Sequence, residues 1–238
     1  MKPKNFRVVF KREFLSFFNS PTAYIVVTVF LLVAGWMFFQ QFFLIGQASL
    51  RPLFAFVSIL FMFFAPAITM RLVAEERKTK TFSLLLTLPL SNAEIILGKF
   101  LAAWALLGVG LLLTVPYAFT VSALGTMDWG PVVGGYLGAL LMGGAYLAIG
   151  MFCTSLTANQ IVAFILGLGM CFVFFILGKV LIFLPEGIAT VVEYFSVDYH
   201  FQNIARGVID LRDLVFYISF IAAFLSYSTF AIQSEKWR

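Results

Sequence analysis

The sequence predicts an all-α polytopic membrane protein with six transmembrane helices, and three observations predict it. Of 238 residues 62% are hydrophobic, only 11% are charged and 30 are Phe, a composition that cannot give a soluble globule a wetted surface. Several apolar runs approach or exceed the roughly 20 residues that cross a hydrocarbon core about 30 Å thick. The positive charges gather between alternate runs, as they do when loops are sorted across a membrane.

Taken in order, the chain begins with a basic stretch in which Phe6, Val9, Phe10, Phe14 and Phe17 recur at helical spacing while Arg7, Lys11, Arg12 and Ser16 fill other faces. That pattern describes an interfacial helix over residues 1–20, with a merely basic, topology-setting leader as the alternative. A signal peptide does not fit, because the following apolar run exceeds a signal core and no small-residue cleavage site precedes Gln40 and Gln41. Asn19, Ser20 and Pro21 end this helix, and the six spans follow at Thr22–Ile45, Pro52–Val73, Glu94–Leu124, Pro131–Cys153, Gln160–Gly178 and Leu211–Ala231. Pro66 and Pro116 fall inside spans two and three, where each removes a backbone donor and predicts a kink or local opening.

Twelve of the 16 Lys and Arg lie before span one, between spans two and three or after span six; Arg51, Lys179, Arg206 and Arg212 lie opposite, among six acidic residues. Both termini are therefore expected in the cytoplasm. The net charge of +5 reflects this topology and not affinity for nucleic acid, which needs a basic soluble face.

Cys153, Cys171 and a single histidine, His200, provide neither a disulfide framework nor metal-ligand spacing. No span carries a central carboxylate for an ion relay, and no constellation suited to nucleophilic or acid–base catalysis is visible. The chain is expected to be non-catalytic. Lys179 is expected to snorkel from the end of span five, with a buried substrate contact as the alternative.

Residues 71–93 form a charged, amphipathic island between spans two and three. Glu75, Glu76, Arg77, Lys78 and Lys80 carry span two into water; Phe82, Leu84, Leu85, Leu86 and Leu88 make a short apolar segment that ends at Pro89. A short helix across the membrane surface fits this pattern, and an ordinary connecting hairpin is the alternative. Ser91 and Glu94 form an S-x-x-E capping box, so the helix of span three should start near Asn92.

The loop EERKTKTFSLLLTLPLSNAEIILGK at 75–99 resembles the signature region of ABC-2 type permeases. KREFLSFFNSPTAYIV at 11–26, TSLTANQIVAF at 154–164 and FQNIARGVIDLRDLVFY at 201–217 are similar to other parts of that family, most closely its branch of gliding-motility and nitrous-oxide-reductase-maturation permeases. One departure is Lys80-Thr81-Phe82-Ser83, where the family usually has Gly-Thr followed shortly by Glu.

The resemblance implies one ABC-2 transmembrane domain over 1–238, which dimerises with a second copy or a homologous permease and is powered by a separate ATPase subunit. ATP and Mg would be bound by that partner. Gly98-Lys99 and Gly178-Lys179 are followed by Phe100 and Val180, so neither completes a Walker A loop. The coupling residues implied are Glu75, Glu76, Arg77, Lys78, Thr81, Phe82, Leu85 and Pro89. Between spans five and six, residues 179–210 are too apolar for a free loop and too broken for a span. Short helices over Gly187–Phe195 and Asp198–Gly207 are expected there, re-entrant by the family resemblance, with Asp210 and Asp213 capping span six. An external gate is expected from Phe195, Tyr199 and Phe201, with Glu193, Asp198 and Arg206 nearer water; structural filler is the other reading.

Gly130, Gly134 and Gly138 repeat at four-residue spacing and predict a close helix approach, within this chain or from another. The dense phenylalanines are expected to face lipid or neighbouring helices. The leading expectation is thus an exporter permease in the bacterial cytoplasmic membrane, in contact with lipid and possessing room for a periplasmic or accessory subunit. The alternative is a membrane anchor or mechanotransmission subunit that moves no cargo itself.

Overall fold

The computed structural model describes residues 5–79, 90–180, 185–208 and 210–235, and among them every regular element is a helix. Six stretches are long and apolar enough to cross a membrane: Pro21–Ile45, Arg51–Lys78, Asn92–Leu124, Trp129–Leu156, Gln160–Val180 and Leu211–Gln233. Each coincides with a span expected from the sequence to within a few residues, apart from the second, which one further helical turn carries from Val73 to Lys78.

The chain opens with α1 (Asn5–Asn19), which packs along the start of α5 (Asn92–Leu112). Gly98 permits the approach, since a Cβ there would stand 2.8 Å from Cβ and Cγ1 of Val9. Ser20 turns the chain in extended backbone, its hydroxyl donating to the Phe17 carbonyl at 3.2 Å, and Pro21 starts α2 (Pro21–Ile45) without a wasted donor. Gly46, at φ 65°, closes α2 in the left-handed conformation that a side chain disfavours.

Helix α3 (Arg51–Thr69) contains Pro66 and stops three residues later, before a single further turn, α4 (Ala74–Lys78). The opening is stitched from elsewhere in the chain: Thr154 donates its hydroxyl to the Met70 carbonyl and accepts the Ala74 N–H, both at 3.1 Å. A dry bundle can hold irregular backbone only with such partners. The second proline acts in the same way. Helix α5 ends at Leu112, and α6 (Val115–Leu124) restarts with Pro116 in its first turn, while the Thr114 hydroxyl donates to the Leu111 carbonyl at 2.7 Å.

Helix α7 (Trp129–Leu156) is the centre of the molecule, packed by α3, α5, α8 (Gln160–Val180), α10 (Val197–Ala205) and α11 (Leu211–Glu235). Its most apolar window is 72% buried, against 17% for α8 and 22% for α11, which present most of their surface outward. Small residues make this centrality possible, because in lipid helix association draws on close van der Waals packing more than on hydrophobic transfer. Gly134 lies directly under the Ile204 carbonyl and Gly207, and Gly138 lies under Phe201 and Ile204. The partner of that glycine row is therefore α10 of the same chain and the turn after it, since a Cβ on Gly207 would meet the Gly130 backbone at 3.1 Å. Short helices α9 (Glu186–Phe195) and α10 close the end of the bundle opposite α1 and α4, with Ser196 between them capping α10 through the Tyr199 N–H at 3.1 Å.

Of the phenylalanines in the first two spans, Phe38, Phe42, Phe54 and Phe61 are buried among helices and Phe43 and Phe63 face outward. Both expected roles occur.

Candidate functional site

Two polar assemblies, one at each end of the bundle, interrupt an otherwise apolar molecule. The first is built at the junction of α1, α4 and α5. The capping box forms as the sequence predicts: Ser91 Oγ accepts the Glu94 N–H at 3.2 Å, and Glu94 Oε2 accepts the Ser91 N–H at 2.8 Å. This fixes the first turns of α5 and with them the direction of Lys99.

Lys99 is completely buried, and its Nζ donates to Glu76 Oε1 at 2.8 Å and to Glu13 Oε1 at 3.1 Å. One ammonium thereby ties α1, α4 and α5 together. Burying an ion is costly unless it is paired and hydrogen-bonded, and the two carboxylates meet that condition. Beside this triad, Arg71 forks onto both oxygens of Glu75 at 2.8 and 3.3 Å and reaches back to Thr22 Oγ1 at 2.6 Å, joining α2 to α4.

The sequence places Lys99 among the topology-setting charges and at the end of the 75–99 signature region, without a buried role. A signal existed: Ile95, Ile96, Lys99, Ala102, Ala103 and Leu106 recur at helical spacing and are all buried, so the lysine occupies a core position of that stripe. Glu76 corrects a second expectation. The sequence reading carried it into water, whereas its carboxylate turns inward to Lys99 and its side chain is 16% exposed. Glu75 is half-buried in its pair with Arg71, Arg77 is half-buried and Lys78 is exposed. Thr81, Phe82, Leu85 and Pro89 lie outside the described residues.

The second assembly lies at the opposite end. Asp198, in the first turn of α10, accepts from Ser58 Oγ of α3 at 3.1 Å, from Lys179 Nζ of α8 at 2.8 Å and from Gln202 Nε2 at 2.8 Å. It is 2% exposed, which corrects the expectation that it lies near water: three donors substitute for hydration. Lys179, expected to snorkel, keeps an exposed stem but anchors its ammonium on Asp198 and lies 5.4 Å from the Phe175 ring centre.

His200 holds α10 to α11. Its Nδ1 lies 2.6 Å from Asp213 Oδ1 and its ring stacks on Phe216 at 4.0 Å between centres. Asp213 is therefore a buried histidine partner and not a cap; Asp210 alone caps α11, accepting the Arg212 N–H at 3.0 Å.

The expected gate residues do not form one cluster. Glu193 and Tyr199 line a cavity of about 720 Å³ between α9, α10 and α11. Phe201 points the other way, buried against Gly138, and Phe195 and Arg206 are exposed.

No group of three His, Cys, Asp or Glu side chains suited to a metal ion occurs among the described residues. Among the described residues the arrangement offers mechanical connection and polar anchoring. A family model described as ABC-2 family transporter protein matches residues 7–234. No curated protein matches the sequence.

Proposed function

Because the chain belongs to the ABC-2 family of transporter proteins, a family of membrane permeases, we propose that it is the permease subunit of an exporter. It pairs with a second permease copy or a homologous one, and a separate ATP-binding subunit drives it to move a substrate outward across the bacterial cytoplasmic membrane. In this reading both termini and the 71–93 loop are cytoplasmic, as the Lys and Arg asymmetry favours. We assign it to the branch of gliding-motility and nitrous-oxide-reductase-maturation permeases on the sequence resemblance alone, and an accessory periplasmic subunit would approach the end formed by α9 and α10.

The observation that carries the proposal is the Lys99 triad. Segment 75–90 is where the partner ATPase would dock, and its first turn, α4, is ion-paired to α1 and α5 through one buried ammonium and to α2 through Arg71. A push delivered there passes into three helices at once. ATP-driven closure of the partner subunits would then bias the two permease halves between inward and outward arrangements. The outward faces of α2, α8 and α11 leave ample surface for the second half. Tyr199 and Glu193 would line the outer end of the pathway, with Phe195 and Arg206 at its rim and Asp198 and Phe201 holding α10 in place.

Site-selective labelling tests the docking assignment. Cys153 and Cys171 are buried, so Lys78→Cys creates one accessible thiol. A membrane-impermeant maleimide should modify it only from the cytoplasmic side, and the partner ATPase should protect it. Modification from the outside would overturn the topology, and undiminished labelling in the complex would remove Lys78 from the docking surface.

A further inference from the structure

A cavity of about 720 Å³ opens between α9, α10 and α11, at the end of the bundle away from α1 and α4. That is the size of a small-molecule site. Three carboxylates line it, those of Glu193, Asp210 and Asp213, against one guanidinium, that of Arg212. His200 also stands in the wall, and with its imidazole charged or neutral the wall keeps a net negative charge.

Two of these carboxylates lack the partners that burial demands. Asp213 is 3% exposed; His200 Nδ1 lies 2.6 Å from its Oδ1, while no donor among the described residues reaches Oδ2. A buried carboxylate oxygen left so costs free energy that a cation close by recovers. Glu193, on α9, is half-buried, and its carboxylate makes no hydrogen bond or ion pair among the described residues. By contrast, Asp210 caps α11, and Asp198, which faces α3 and α8, has three donors. The lining thus holds negative charge that the fold itself does not answer.

The rest of the lining selects the cation. Tyr194, Tyr199 and Phe216 bring aromatic rings, and Leu211 and Val215 bring apolar surface. Rings beside carboxylates suit an ammonium carried on an apolar body, because ring faces attract the charge and apolar walls cover the remainder. A bare divalent ion finds no group of three His, Cys, Asp or Glu ligands among the described residues. A polyamine, charged along its length, would have to shed water against Leu211 and Val215.

We propose that this cavity binds a small organic ammonium ion of the arylalkylamine class, its N–H groups donating to Glu193, with the unanswered charge of Asp213 behind and Tyr194 and Tyr199 beside its apolar body. The site needs only α9, α10 and α11, and so stands or falls apart from the ATPase partnership.

Binding of a fluorinated phenethylamine to the full chain in phosphatidylcholine nanodiscs, followed by fluorine NMR and compared with nanodiscs holding no protein, tests it. A saturable component should appear that empty nanodiscs lack, and unlabelled phenethylamine should displace it. Phenethyl alcohol, the neutral isostere, should displace it far less well. Glu193→Gln keeps the shape of the side chain, breaks no contact and should weaken binding about tenfold or more, as loss of a charge-assisted hydrogen bond does. Asp128→Asn, which removes a carboxylate from the same end of the bundle but keeps a capping side chain, should leave binding unchanged. Should Glu193→Gln lower the melting temperature, Tyr199→Leu is the second variant and should also weaken binding. The absence of a saturable component, displacement by the alcohol as effective as by the amine, undiminished binding in the folded variant, or equal weakening by Asp128→Asn would overturn the proposal.

Discussion

At position 99 a lysine stands where the stripe of α5 otherwise places Ile, Ala and Leu, and its ammonium is satisfied by Glu13 and Glu76. Replacing it by methionine keeps the volume but strands two carboxylates, one 14% and the other 16% exposed. Breaking a buried pair in this way costs about 3–5 kcal/mol. Lys99→Met should therefore lower resistance to SDS-induced unfolding by that order and release α1 to added protease, and near-wild-type stability would show that the triad holds nothing together. The residue scale is also where the sequence was least legible. Composition assigns a lysine to a membrane side, but only the fold shows whether it meets water or a carboxylate 86 residues away. The same holds for Asp198, whose partners Ser58 and Lys179 lie on two other helices.

At the scale of elements the reading was close, because each boundary has a local cause. Ser91 and Glu94 start α5 at Asn92, where an S-x-x-E box requires it, Pro21 starts α2, and Pro66 and Pro116 each precede or accompany an opening in the helix. What the elements do to one another is another matter. The Gly130, Gly134 and Gly138 row announces a close approach without naming the partner, and the partner is α10 for the last two. Gly134→Leu would drive a side chain into the Ile204 carbonyl and the Gly207 backbone, neither of which can swing aside as a side-chain tip can. The variant should lose thermal stability as an isolated chain and detach α10 from α7, read as new protease cleavage near Gly207. Unchanged stability with impaired pairing of two copies would instead place that row at an interface between chains.

For the whole molecule, six spans, alternating charge and the ABC-2 family follow from composition and from motifs spread over nearly the full length. In the proposed mechanism α7 would be the fixed centre and the α1–α4–α5 junction would receive force, with α9 and α10 at the far end. The buried Lys99 at one end and the buried Asp198 carboxylate at the other each tie together helices distant in sequence. The central claim is that force enters through the segment that begins at α4. Gentle affinity purification of the tagged chain from its native membrane, with identification of the recovered subunits and an ATP-turnover assay, tests it most directly. An ATP-hydrolysing ABC subunit recovered in equal amount with the wild-type chain, and lost with Lys78→Glu while the permease still inserts and folds, is the result expected; recovery of the chain with no such subunit would contradict the account.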